Sequence, residues 1–205
     1  MSILITQIKS KPELERTIEL IIEGNEIESP LIKCSIFSVA LETTTSLIQL
    51  ENKIFFAPIK NTKNLNSVLK ELQSIIDKEK TNFTELEHTV LLKKITYLNT
   101  PFNKDKFLLS YKLYNIELPQ KLELLLNTRN KFLHGKTPYE EGLLKTKIKE
   151  LHLEADRLHM LVSILILKYI GYKGHIKNQA GYRLETKNYY DEDNIEINES
   201  AFYCI

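Results

Sequence analysis

The chain has 205 residues, 28 Lys+Arg against 27 Asp+Glu, 42% hydrophobic residues and no tryptophan. That length suits one domain, or one domain with an appendage, and the apolar and charged fractions exclude a disordered or fibrous chain. Only 6 Gly and 6 Pro favour helices over a sandwich or barrel, while a net charge of +1 speaks against constitutive coating of DNA.

Residues 1–30 form a weakly patterned lead. Ile3, Leu4, Ile5 and Ile8 suit a short strand, and Pro12 to Glu23 a helix ended by Gly24-Asn25. A turn at Glu28-Ser29-Pro30 separates this lead from the main body. From Leu31 to about Leu50, Ile32, Ile36, Val39, Ala40, Leu47 and Ile48 keep helical spacing, with Glu42 inside the helix. Residues 52–62 read as an ordered loop. A second helix carries Leu65, Val68, Leu69, Leu72, Ile75 and Ile76 as its stripe, and Thr84 with Glu87 forms a capping-box start for a third. Thr100-Pro101 breaks the chain before a shorter helix from Lys106 to Ile116.

Pro119 opens a fifth helix that runs to His134 and stops at Gly135. After Thr137-Pro138 a long sixth helix spans about Leu143 to Ile170, ended by Gly171. Its stripe becomes apolar all round towards the end, which predicts the central element of the fold. The expected architecture is an all-α antiparallel bundle of five or six helices over residues 31–177, followed by an irregular, acidic, tyrosine-rich tail over 178–205.

Cys34 and Cys204 lie far apart, with no Cys or His at metal-ligand spacing. The opening residues carry no cleavage signature, and the most apolar run, Met160 to Leu167, falls far short of the roughly 20 residues that span a bilayer. The expectation is a soluble, reduced, cytoplasmic protein with no metal, no cofactor and no membrane association. Charge is unevenly placed. Residues 119–177 hold 11 basic against 6 acidic side chains, net +5, and residues 178–205 hold 2 against 6, net −4.

The fifth helix carries the most unusual local sequence, Asn127-Thr128-Arg129-Asn130-Lys131-Phe132-Leu133-His134-Gly135. Glu123, Asn127, Asn130 and His134 share one polar face. Arg129 stands seven residues after Leu122, where the apolar stripe calls for an aliphatic side chain. A cation at such a seam needs a carboxylate or an anion nearby. A structural role accounts for the same residues: His before Gly is a common helix ending, and Arg129 has Glu123 or a neighbouring helix to pair with.

Arg129 to Gly135 also resembles the signature of HEPN domains, an Arg, then four to six residues, then a His, often with a polar residue directly after the Arg. Four residues intervene here and Asn130 is the polar one. The helical order and the closing Leu165-Ile166-Leu167-Lys168-Tyr169-Ile170-Gly171-Tyr172 are similar to HEPN domains of abortive-infection proteins, over roughly residues 31–177. The resemblance implies metal-independent RNA cleavage by attack of a 2′-hydroxyl on the adjacent phosphate. His134 would serve as general acid or base, Arg129 would neutralise charge on the phosphoryl oxygens, and Asn130 would orient the imidazole or donate to the phosphate. It further implies a homodimer with facing motifs, because one His fills only one of two proton-transfer roles.

Glu42 is a supporting candidate, an acid placed to hold Arg129 or His134, or else a plain surface glutamate. Lys131 and Lys136 flank the motif as candidate RNA-backbone contacts, or as solvated lysines. His152 and His159 lie seven apart on the long helix and read as core-edge residues. The aromatic tail (Tyr182, Tyr189, Tyr190, Phe202 and Tyr203) is expected to pack on the basic hairpin rather than stack on bases. HEPN toxins with nucleotidyltransferase antitoxins carry a Tyr two residues after the His as a modification site; here that position is Lys136, and the next tyrosine is Tyr139. The leading expectation is an RNA-cleaving defence or toxin enzyme with RNA, a second copy and an antitoxin or sensor protein as partners. The alternative is a non-catalytic helical module that binds RNA, a nucleotide or a protein.

Overall fold

The structure, a computed structural model, describes residues 11–137, 139, 147–187 and 199–205. The expected strand near Ile3, the start of the long helix at Leu143 and the run Asp191-Glu192-Asp193 lie outside the described residues. The chain is predominantly helical, an all-α bundle.

Helices α1 (Pro12–Glu26) and α2 (Pro30–Glu51) each begin with proline in the first turn, where its missing N–H costs nothing. The expected stop at Gly24 is not used: α1 runs through it to Glu26. A Cβ at Gly24 would lie 2.5 Å from the Phe37 ring, so this glycine serves the close approach of α1 to α2. Leu14 and Leu20 of α1 accordingly join the main core, and part of the expected lead is a helix of the bundle.

The short helix α3 (Lys53–Phe56) occupies the first part of the expected loop. Helices α4 (Thr62–Lys78) and α5 (Glu85–Thr96) follow, joined by a 3₁₀ turn at Lys80–Asn82. The capping box forms as expected, Thr84 and Glu87 each satisfying the other's backbone N–H. Among the described elements α4 and α5 pack extensively only against each other and that turn, so they project as a two-helix arm. Asn99 clasps the arm's root by exchanging two hydrogen bonds with the Ile59 backbone, at 2.8 and 3.1 Å.

Helix α6 (Asn103–Leu113) returns the chain to the bundle, and α7 (Gln120–Leu133) and α8 (Ile148–Tyr169) complete it. The centre is shared: α2 and α8 make the most extensive contact, and α2 also touches α1, α6 and α7. On α2 the buried face runs through Cys34, Phe37, Ala40, Leu41, Leu47 and Ile48, while Ile32 and Val39 of the expected stripe are exposed. By length and composition α2 could cross a membrane, but half of its most apolar stretch is buried in the protein, as in a core helix.

The described part of the tail is ordered structure rather than irregular chain. Strand β1 (His175–Lys177) pairs antiparallel with β2 (Phe202–Cys204), and helix α9 (Gln179–Lys187) packs on α8. The anchor is Glu199. It receives hydrogen bonds from Arg157 at 2.7, 3.0 and 3.3 Å and from Asn178 at 3.1 Å, with Lys121 at 3.7 Å. An acidic tail residue thus sits on the basic hairpin.

Candidate functional site

Helix α7 ends in a Schellman motif that fixes the candidate segment. The Lys136 N–H donates to the Lys131 carbonyl at 2.8 Å and the Gly135 N–H to the Phe132 carbonyl at 3.0 Å. Gly135 has φ +66°, a conformation that costs a residue with a Cβ. His134 is therefore the C-cap, one residue past the helix, and its side chain is exposed. Its ring makes no hydrogen bond or ion pair among the described residues. Phe132, rather than Leu133, completes the buried stripe of Leu122, Leu125 and Leu126.

Arg129 occupies the seam position and is buried, 2% exposed. Its guanidinium carbon lies 3.7 Å from the centre of the Phe107 ring on α6, a stacking geometry that suits a planar cation. Nη1 donates to Asn130 Oδ1 at 2.6 Å and lies 4.0 Å from Glu42 Oε2 on α2. The Nε of Arg129 is buried without a hydrogen-bond partner. Burial pushes the Arg129 pKa down and Glu42 acts against that; a guanidinium remains charged in either case.

Lys106, in the first turn of α6, completes the cluster. It donates to Ser46 Oγ at 2.9 Å. Burial lowers its pKa, Glu42 raises it and Arg129 lowers it again. Ser46 is one turn beyond Glu42 on α2, and there an open groove of about 410 Å³ begins, walled by Gln49, Leu50, Lys53 and Pro101. Two cations and one half-exposed carboxylate make the cluster net positive.

Among the sequence candidates, the structure brings Arg129, Asn130 and Glu42 into contact. His134, Lys131 and Lys136 are exposed around the same helix end without joining the cluster. Asn130 accepts from Arg129 rather than reaching His134. Lys106 and Phe107 of α6 and Ser46 of α2 are not among the candidates, since nothing in the local pattern of either helix marks residues that meet a distant helix. His152 and His159 are held towards the neutral form, chiefly by burial, and His159 packs against Phe37 with ring centres 5.2 Å apart.

Comparison of the chain with protein-family models, curated proteins and solved structures finds no match.

Proposed function

We propose that the chain is a metal-independent endoribonuclease of anti-phage defence or toxin type, acting as a homodimer with a composite site. The reading is supported by the HEPN-like Arg129–His134 segment at a helix end, by the all-α order around it, and above all by the state of Arg129. A buried guanidinium with an unpaired Nε and its nearest carboxylate at 4.0 Å lacks the pairing that such burial ordinarily demands. A phosphate would supply it.

In this chemistry the 2′-hydroxyl oxygen attacks the adjacent phosphorus and the bond to the 5′ oxygen breaks. A base takes the 2′ proton, an acid protonates the departing 5′ oxygen, and the products are a 2′,3′-cyclic phosphate and a 5′-hydroxyl. His134 of one copy takes one role and His134 of the second copy the other. Arg129 stabilises the charge gathering on the phosphoryl oxygens. Asn130 orients the guanidinium through its bond to Nη1, which leaves Nε for that contact. Glu42 holds the guanidinium against Phe107.

The burial of Arg129 favours a second reading, a non-catalytic helical module in which Arg129 only braces α7 against α2 and α6. Expression in a bacterial host separates the two. The nuclease reading expects growth arrest that both His134→Ala and Arg129→Ala relieve at equal protein level. Arrest unchanged by either substitution favours the module.

A further inference from the structure

Between α2, α3 and the segment that leads into α6 lies the groove that opens at Ser46. Its volume, about 410 Å³, suits a small ligand group. Leu50 and Pro101 give it apolar walls, and its polar groups are unevenly spent. The Asn99 amide is committed at both ends to the Ile59 backbone. The Gln49 amide and the Lys53 ammonium make no hydrogen bond or ion pair among the described residues. An apolar cleft with a few free polar groups is how a planar, polar-edged ring is held.

Position ties this groove to the Arg129 cluster. Ser46 stands at its edge and accepts from Lys106 at 2.9 Å. Lys106 and Arg129 flank one ring, their cationic groups 5.9 and 3.7 Å from the centre of Phe107. Lys53 carries positive charge on into the groove. The nearby acids do not cancel it. Glu51, next to Leu50 in the chain, is taken up by Lys11 at 2.6 Å and Tyr169 at 2.8 Å, and Asp105 lines a separate groove beyond Phe56 and Pro101. Phe102 follows Pro101 and is 82% exposed, an aromatic face of the kind on which bases stack. This order of groups matches a polyanion with planar bases: phosphate at Arg129 and Lys106, base in the groove.

We propose that the groove is a base-binding subsite, taking the unstacked base of a nucleotide beside the phosphate held at Arg129. Gln49 meets the edge of the base, Leu50 and Pro101 its faces, and Lys53 the next phosphate along the strand. A base that is paired and stacked in a duplex cannot enter, so the subsite admits single-stranded RNA alone. The placement of the phosphate rests on the nuclease reading, yet the subsite is measured by binding, without any cleavage.

Fluorescence anisotropy of the full chain with an uncleavable 2′-O-methyl strand of about ten mixed nucleotides tests it. The wild type is expected to bind the single strand at least about tenfold more tightly than the matching duplex. Lys53→Glu should weaken single-strand binding about tenfold. Lys80→Glu, the same charge reversal at the tip of the arm, should change it less than about twofold. Gln49→Leu removes the amide at similar size and should cost about threefold, with helical circular dichroism unchanged in all three variants. A wild type that binds duplex as tightly as single strand overturns the proposal. So does a loss in Lys53→Glu no larger than in Lys80→Glu, or a Gln49→Leu chain that binds like the wild type. The expected binding pattern in a chain that leaves RNA uncut fails the nuclease reading alone. RNA cleavage by a chain whose Lys53→Glu and Gln49→Leu variants bind like the wild type fails the subsite alone.

Discussion

Two arginines are equally buried in this molecule, each 2% exposed, and they are treated in opposite ways. Arg157 on α8 donates from three nitrogens to Glu199 and Glu154, at 2.7 to 3.3 Å. Arg129 on α7 has one amide oxygen, one aromatic face and a carboxylate at 4.0 Å, and its Nε has no partner. The first is a finished structural pair that fastens the tail to the bundle. The second is a cation kept in place but left short of anions, the condition expected of a group whose partner is a ligand. Burial alone does not separate them; the number of anions within bonding distance does.

The contrast predicts graded effects. Arg157→Ala leaves the buried Glu199 side chain and half-buried Glu154 without their arginine and should cost about 3–5 kcal/mol in urea unfolding. Arg129→Ala strands only half-exposed Glu42 and should cost about 1–2 kcal/mol; equal losses would break the comparison. Next comes acid. Burial alone would raise the Glu199 carboxyl, but its bonds from Arg157 and Asn178, with Lys121 nearby, outweigh that and hold it below the ordinary 4.5. A depressed folded value means stability that is present above pH 4.5 and lost as pH falls through the folded value. The wild type should lose that contribution on acidification and Glu199→Gln should not, in unfolding followed against pH.

Smaller effects sharpen the picture of Arg129. Phe107→Leu removes the stacked ring and should cost about 1–1.5 kcal/mol by thermal or urea unfolding, mostly as cavity and lost stacking. Glu42→Gln should change stability by less than about 1 kcal/mol, because the Glu42 side chain is 42% exposed. On the nuclease reading, RNA cleavage should still fall a few-fold in Glu42→Gln, since a freed guanidinium is less well aimed.

Much of the bundle was readable from local chemistry. Gly135 and Gly171 end their helices as the pattern implied, and Thr84 with Glu87 starts α5. The unnoticed relative is Asn115, which takes the same left-handed ending with φ 56° after α6; asparagine marks such a stop less plainly than glycine. Gly24 shows the reverse error, since a glycine that stops a helix and one that lets another helix approach look alike in sequence. Periodicity found Leu65, Leu69, Leu72 and Ile76 of the α4 stripe but also counted Val68 and Ile75, which are exposed, and it did not show that the arm stands apart, because it reports an apolar face and never the partner. The seam position of Arg129 did announce a buried cation in need of support. Its actual neighbours Phe107 and Lys106, and the grip of Arg157 on Glu199 forty-two residues away, are products of tertiary packing with no local trace.

The central claim is that the Arg129–His134 helix end is an RNA-cleaving site. Its most direct test incubates purified wild-type protein, Arg129→Ala and His134→Ala with single-stranded RNA and with a matching strand carrying 2′-deoxy sugars, followed by analysis of the product ends. The account predicts 2′,3′-cyclic phosphate and 5′-hydroxyl ends from the wild type, no cutting of the deoxy strand, and a loss of about 100-fold or more in both variants. Wild-type protein that leaves RNA intact, or variants that cut it at the wild-type rate, would contradict it.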